Sequence, residues 1–436
     1  MRKIIQYMMM ALIAVVLASC ANDISEESTP TVKSNIRFVV DDFPMFEKPS
    51  TRTIGEEDKG KTAWAVGDEI CIKLESKELG IQTATLKYNG VKFEIQDGNS
   101  LCYLEGEPVT AYAYYAPGRK YLNDGYLGYK DDGEDGIAEF IEATCNVHYG
   151  DDNYIDISFA NVTRNYSRLR IATMPNKPIT VTINKYTPAG SSSMEWFQDI
   201  ALTSDEKGNA YLYGNFVTNS QFTVKYEEAP LASHTFLQAT VNAKSYALDA
   251  TVVSLADEGL TYDQIVEDVK KELYAGKTYI NLILAPDVDE ETLEAINIGL
   301  KDARDGSINL TLIGCKKIPS RGFMHFGMLK SIVLPDVTEI EENAFSDCPG
   351  LQKVVLGNLT KVYGNVRNNG IFDDCETRSI DLVLSKDQKA MNDGEAEGRY
   401  CWTADIITDY DLSDEHVSKK FLGYEFKSIT CRYKFE

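Results

Sequence analysis

Residues 329–351 read Leu-Lys-Ser-Ile-Val-Leu-Pro-Asp-Val-Thr-Glu-Ile-Glu-Glu-Asn-Ala-Phe-Ser-Asp-Cys-Pro-Gly-Leu, and their apolar pattern recurs at a spacing of 22 residues. Three columns hold this register: Leu312, Leu334 and Leu356; Cys315, Val337 and Leu359; Ile318, Ile340 and Val362. Phe323 with Phe345 and Leu329 with Leu351 extend it, before an insertion displaces the next copy to Phe372, Cys375, Ile380 and Leu382. A fixed short period predicts a stacked solenoid, because so small a unit cannot bury its own apolar side and needs its neighbours as the other wall. The expected repeat core is Leu312, Ile318, Phe323, Leu334, Ile340, Phe345, Leu356, Val362 and Phe372. Such an array offers partners an extended face rather than an enclosed pocket, so the pattern points to binding.

Helical periodicity first appears just upstream. Thr261 and Gln264 make a capping-box start, Ile265, Val269 and Leu273 fall on one face, and Gly276 suits the end. Residues 279–284 read as a strand broken by Pro286. Leu293, Ile296, Leu300 and Ala303 then stripe a second helix behind Asp289, Glu290 and Glu291, whose charges favour its N-terminus, and Gly306 is expected to end it. With residues 308–312 as the next strand, this predicts a parallel crossover unit over residues 257–307 that caps the array. Residues 308–436 hold the repeats and a closing strand or cap near 423–429.

Residues 35–256 carry little helical periodicity. Short β-rich runs at 36–40, 69–74, 109–115, 155–159, 179–183, 221–226 and 236–241 are separated by turn residues. Runs 83–88 and 91–95 flank Asn89 and Gly90, the pair best able to take the two positive φ angles of a type I′ turn. The reading is two β-sandwiches, 35–163 and 164–256, with the break near residues 161–167.

Two resemblances sharpen this. Thr51, Arg52 and Thr53, then Trp64, Gly67, Asp68 and Ile70, then Arg168, Leu169, Arg170 and Ile171 resemble the fimbrillin-like surface proteins, which implies two transthyretin-like sandwiches. A shaft subunit of that family would end near a donor strand, whereas this chain runs on into a further domain. Ser331 to Pro335, with Ile340, Asn343, Ala344, Phe345, Cys348 and Leu351, resemble BspA-like leucine-rich repeats over residues 308–385, repeats typical of surface antigens and adhesins. The expected fold is mainly β: two transthyretin-like β-sandwich domains followed by a short βα-capped leucine-rich-repeat solenoid.

At the chain start, Arg2 and Lys3 precede an apolar run over residues 7–17, too short for a comfortable membrane span, and residues 1–19 read as a signal peptide. Leu17, Ala18, Ser19 and Cys20 resemble the lipobox of bacterial lipoproteins, which implies a lipid on Cys20; the alternative is a plain signal peptide that holds a Cys. Residues 20–34 are polar and acidic and read as a tether. An acidic run behind a lipidated Cys resembles the surface-export signal of anaerobic Gram-negative lipoproteins. It implies lipid anchoring in the outer membrane, facing the exterior, and several acyl chains on one residue suffice to hold it there.

The 436 residues allow roughly two to four domains, and 43% hydrophobic content can fill several cores. The formal charge of -23 becomes -25 when Arg2 and Lys3 leave with the signal, a field that repels phosphate backbones and argues against a nucleic-acid partner. Beside Cys20 there are Cys71, Cys102 and Cys145 in the first half and Cys315, Cys348, Cys375, Cys401 and Cys431 in the last third. Both groups are odd, so neither can pair completely, and no CxxC is present. Cys315 and Cys348 read as buried packing thiols.

Several constellations invite a chemical reading. Gly55, Glu56, Glu57, Asp58, Lys59, Gly60, Lys61 and Thr62 match the G-x4-G-K-T phosphate loop, but residues 63–70 read as β where a helix is needed, and three carboxylates would repel phosphate. A loop between strands is the expectation, with Lys61 exposed and Lys61→Ala without effect. Asp131, Asp135, Gly136 and Glu142 sit at positions 1, 5, 6 and 12 of a calcium-loop count, but Gly133 at position 3 cannot ligate and flanking helices are missing, which favours a solvated acidic loop. His148, His234, His325 and His416 are far apart and make no H-E-x-x-H pair. Carboxylate neighbours such as Glu290 and Glu291 are expected by default in an acidic chain.

No catalytic residue, cofactor or metal is therefore expected. Three function classes remain: a lipid-anchored surface adhesin whose repeats bind a host or bacterial surface protein or glycan, held off the membrane by the sandwiches; an accessory or anchor subunit of a fimbrial assembly; and a component of a surface polysaccharide-handling system.

Overall fold

The computed structural model describes residues 31–46, 60–96, 100–122, 125–131, 133–150, 152–160, 164–226, 229–256, 259–357, 359–362, 370–385, 420–422 and 424–433. The signal peptide, Cys20 and the tether as far as Pro30, Thr51 to Thr53, the Gly55 to Lys59 part of the loop, Cys401, His416 and the side chain of Cys431 lie outside the described residues. Among the described residues the chain is mainly β, with several sheets and two α-helices. No helix there is long and apolar enough to cross a membrane.

The first β region is a seven-stranded sheet in the spatial order Arg37–Val40, Tyr154–Ser158, Ile141–His148, Thr110–Tyr115, Glu69–Ser76, Gly80–Tyr88 and Phe93–Ile95. Period-two burial selects the inner face: Ala111, Ala113 and Tyr115 point in while Thr110 is exposed. Ile141–His148 serves two neighbours, with Ile141 to Ala143 paired to Tyr115 to Ala113 and Thr144 to His148 paired to Ser158 to Tyr154. The sheet turns a corner there, and its two edge strands approach each other around one core. Trp64 lies within that core, edge-on to Phe43 and Phe93, each at 4.9 Å, to Tyr115 at 5.3 Å and to Phe159 at 5.5 Å.

The second β region is ordered Ala229–Thr235, Gln221–Tyr226, Pro178–Pro188, Asn209–Asn215, Ser167–Ala172 and Ser245–Asp249, with Glu195–Thr203 on the side of Pro178–Pro188. Both regions close in the same way. The first strand lies parallel to the last, Arg37–Val40 on Tyr154–Ser158 and Ser167–Ala172 on Ser245–Asp249, and the other pairings described in them are antiparallel.

Two local expectations give way. Residues 236–241 are not a strand; the partner of Gln221–Tyr226 is Ala229–Thr235, and Phe236 is instead buried against Phe216 at 4.9 Å and Phe222 at 5.5 Å. In the Asn89-Gly90 hairpin only Gly90 has positive φ, at +100°. Asn89 commits its side chain to the loop, where Oδ1 accepts from the N–H of Val91 at 2.9 Å and of Lys92 at 3.0 Å, so the strand resumes only at Phe93.

From Val253 the architecture changes. Val253–Ser254, Tyr279–Ile283, Ile308–Ile313, Leu329–Leu334, Lys353–Leu356, Asp381–Ser385 and Ser428–Tyr433 form one sheet in which every neighbour is parallel. Helices Tyr262–Tyr274 and Glu290–Leu300 make the first crossovers. The Thr261 hydroxyl accepts from the Gln264 N–H and Gln264 Oε1 accepts from the Thr261 N–H, closing the capping box, while Asp289 caps the second helix through the Thr292 N–H. That helix ends at Leu300 rather than at Gly306, whose φ of +61° places it in the turn into the next strand.

Beyond Ile308, among the described residues, short turns and a 3-10 turn at Thr377–Ser379 stand where the α-helices were, and a second parallel sheet of Lys317–Ile318, Glu339–Ile340 and Lys361–Val362 forms another wall. Both sheets run in a 22-residue register: Leu334 stands opposite Leu356, and Ile318 opposite Ile340 opposite Val362. Val354 meets Leu382 across a longer step, where the insertion falls. Leu312, Ile318, Phe323, Leu334, Ile340, Phe345, Leu356, Val362 and Phe372 are buried in one core that also takes in both helices. The rings of Phe323, Phe345 and Phe372 stack with centroids 5.2 and 5.3 Å apart and planes within 5° and 12°.

Candidate functional surfaces

Strand pleating divides the parallel sheet into two faces. Leu310, Ile332, Val354 and Leu382 point into the coils, whereas Asn309, Ser331, Lys353 and Asp381 form one outward row and Thr311, Val333, Val355 and Val383 another. The outward face is occupied at one end by the second β region. Asn281 Nδ2 donates to the carbonyls of Leu231 at 2.9 Å and Thr251 at 3.1 Å, Thr311 Oγ1 donates to Pro230 O at 3.0 Å, and Ile313 belongs to the core of that region. Further along, Val333, Val355 and Val383 make a buried apolar row of their own. The second region and the coils therefore share an interface.

One flank of the coils carries a partly exposed polar row. Lys317, Glu339 and Lys361 stand side by side on the three-stranded sheet, with Lys361 Nζ 3.7 Å from Glu339 and Lys317 Nζ 2.7 Å from Glu341. Thr338 and Thr360 each donate a hydroxyl to a backbone carbonyl one coil back, Lys316 O and Thr338 O, both at 3.2 Å. Left-handed backbone recurs with the coils, at Arg321, Asn343 and Gly370 and again at His325, Asp347 and Asp374. Sequence reading missed this second periodicity, although Asn, Asp and Gly are the residues that enter this region most readily.

A separate cleft of about 1580 Å³ opens between the two β regions. Its floor is a two-by-two patch in which Arg168 stands opposite Tyr213 and Arg170 opposite Tyr211. Lys61, Tyr115 and Glu139 face it from the first region, and Asp205, Glu206 and Lys207 also line it. Arg168 is 2% exposed; its Nε donates to Ser245 Oγ at 3.0 Å, and its guanidinium lies 4.8 Å from the Phe46 ring centre and 5.4 Å from that of Tyr211. Arg164, fully buried beside it, pairs with Glu139, donates to Pro44 O at 3.0 Å and sits 3.8 Å over Phe46. Burial pushes the Tyr115 and Tyr213 hydroxyls well above the usual phenol range, so both remain protonated. None of this was legible, because a sequence reading assigns arginines to solvent.

The remaining candidates resolve individually. Lys61 is not an exposed loop lysine: it pairs with Asp68, donates to Tyr115 OH at 3.0 Å and lies over the rings of Phe43 and Tyr115. Lys61→Ala should therefore cost stability, on the order of 1 kcal/mol. The segment after it enters strand Glu69–Ser76, not the helix a phosphate loop needs. Asp135 is held by Arg119 and Tyr129, and Glu142 accepts from Tyr114 OH at 3.2 Å, so these carboxylates have protein donors rather than one another. Among the described residues no three ligating side chains gather. His148 stacks on Tyr154 at 4.1 Å, His234 lies against Phe236 with burial lowering its pKa, and His325 Nδ1 is 2.6 Å from Asp347 at the surface. Cys71, Cys315 and Cys348 are buried free thiols, and Cys102, Cys145 and Cys375 are free and partly buried.

No family model matches the chain. Ribosome-binding factor A of Chromobacterium violaceum is 24% identical over 115 residues, which is 26% of this chain and 80% of that protein. Among solved structures, a Bacteroides fragilis protein described as a candidate for cell adhesion covers 50% of this chain and 92% of its own, at 10% identity and a TM-score of 0.25. The shaft pilin spaA of Lactobacillus rhamnosus GG, in a variant form, covers 49% of this chain and 95% of its own, at 10% identity and a TM-score of 0.18. At those scores neither structural likeness bears on the fold or role of this chain, and the sequence match places it in no family.

Proposed function

We propose that the chain is a lipid-anchored cell-surface adhesin in which residues 308–436 form a BspA-like leucine-rich-repeat solenoid that recognises a host or bacterial surface protein or glycan. The observation that supports this most is the repeated flank: Lys317, Glu339 and Lys361 occupy one position on three successive coils, so a ligand would meet a row of side chains rather than a pocket. The βα unit over residues 257–307 caps the coils. The fimbrillin-like sandwiches, 35–163 and 164–256, lead back to a lipid on Cys20 at the exterior of the outer membrane. Because the second sandwich sits on the sheet face, recognition is assigned to the flank. The acidic charge opposes a nucleic-acid partner, and the reading assigns the chain no catalysis, cofactor or metal. Screening residues 21–436 on glycan and host-protein arrays tests it: specific binding supports an adhesin, and silence on both arrays overturns it.

A second reading, an accessory or anchor subunit of a fimbria, draws on one feature. Arg37–Val40 is an edge strand joined in parallel to Tyr154–Ser158, so another subunit's strand could replace it at little topological cost. Co-purification of the native protein with sheared fimbriae would favour this reading. A component of a surface polysaccharide-handling system ranks third.

A further inference from the structure

Two thiols occupy one position on successive coils. The Phe345 N–H donates to Ile371 O and the Asp347 N–H to Asp373 O, both at 2.8 Å, the Phe345 and Phe372 rings stack at 5.3 Å, and the left-handed residues Asp347 and Asp374 immediately precede Cys348 and Cys375. This register sets Cys348 beside Cys375 on neighbouring rungs. Hydrogen-bonded rungs lie roughly 4.7–4.9 Å apart, within the roughly 4.4–6.8 Å between Cα atoms that a disulfide needs. Each thiol also makes the same bond, Cys348 Sγ donating to Phe323 O at 3.1 Å and Cys375 Sγ to Phe345 O at 2.9 Å, so the two sulfurs project alike from their rungs.

We propose that Cys348 and Cys375 are joined as a disulfide in the exported protein, stapling two coils at the step where the repeat lengthens. The proposal rests on the export reading for its oxidising compartment. Cys348 is closed off from solvent while Cys375 is partly buried, so Cys375 meets the oxidant first. Its thiol gives a proton to solvent, and the thiolate attacks the S–S bond of a disulfide oxidant, small molecule or protein, forming a mixed disulfide and releasing one thiolate. Deprotonated Cys348 then attacks the Cys375 sulfur, forms the internal S–S bond and expels the second thiolate. Two electrons pass to the oxidant, whose S–S bond becomes two thiols on taking up the two protons. In the reduced pair, the neighbouring Cys375 and burial push the Cys348 thiol above its usual pKa.

The test is a disulfide map of residues 21–436 refolded in a mixture of oxidised and reduced glutathione, alkylated without reduction and digested. The expected result is a linked peptide pair carrying Cys348 and Cys375, lighter by two hydrogen atoms than the separate peptides and lost on reduction. Reduction should lower the thermal midpoint of the wild type by roughly 5–10 °C and leave Cys375→Ser unchanged. Recovery of both residues alkylated from the folded, oxidised protein overturns the proposal, as does linkage of either to Cys401 or Cys431. The wild-type map decides the matter even where the variant does not fold. A bridge that forms in refolded protein while the protein isolated from its own cells stays reduced supports the pairing and contradicts export, which separates the two failures.

Discussion

The coil region and the two β regions bury apolar faces by opposite uses of sequence. In the coils one position does one job in every turn: Phe323, Phe345 and Phe372 stack, Thr338 and Thr360 each reach one coil back, and Arg321, Asn343 and Gly370 take the left-handed bend. In the β regions no position repeats, and closure brings Arg37–Val40 to Tyr154–Ser158 across most of the first region. Periodicity therefore discloses packing partners, whereas an aperiodic strand pattern discloses strands and leaves their partners open.

The sharpest way to break this contrast is Phe345→Ala. The middle ring of the stack serves both neighbours, so its loss should cost about 3–5 kcal/mol. In a nearest-neighbour array the damage should spread along the coils and stop short of the first β region. In hydrogen exchange, amides of Leu329–Leu334 and Lys353–Leu356 should lose protection while those of Glu69–Ser76 and Thr110–Tyr115 keep theirs; equal loss in both would abolish the distinction. Arg164→Met tests the other side. It strands Glu139 in a buried site without its partner and should cost about 3 kcal/mol in urea unfolding, with protection lost in the β regions and retained in the coils.

Two smaller changes address the joint between them. Asn281→Ala leaves the Leu231 and Thr251 carbonyls without their donor, should cost about 1–2 kcal/mol, and should separate the unfolding of the coils from that of the second β region. The smallest effect is on pH dependence. Burial raises the Asp249 pKa, but the hydroxyl and N–H of Thr251 and the charge of Lys277 outweigh it, leaving the carboxyl below the ordinary aspartate value of 3.8. The stability this group contributes is thus present above that value and lost as pH falls through the depressed one. Wild type should lose about 0.5–1 kcal/mol more than Asp249→Asn on going from pH 5 to pH 2.5, read from urea midpoints.

What the sequence disclosed follows the same division. The apolar columns and the capping box at Thr261 involve residues within one turn or one coil of each other, so local pattern reached them. Phe236 was read into a strand because an apolar run looks the same whether it forms a ladder or contributes a single plug beneath Phe216. The docking of Ala229–Thr235 onto the parallel sheet escaped notice because its markers are two ordinary polar residues, Asn281 and Thr311, at outward strand positions. Arg164 and Arg168 were invisible as core because charge is read as solvent until an aromatic partner is placed over it.

The proposal stands on recognition by the repeated flank, and one comparison tests that most directly. The ectodomain carrying Lys317→Glu and Lys361→Glu, checked for an unchanged thermal midpoint, is placed beside wild type and Tyr211→Ala on the same glycan and protein arrays. The account predicts that the flank variant loses at least about tenfold in binding, ~1.4 kcal/mol, on every ligand the wild type holds, while Tyr211→Ala binds as wild type. Undiminished binding by the flank variant together with loss in Tyr211→Ala would contradict it and move recognition to the cleft between the β regions.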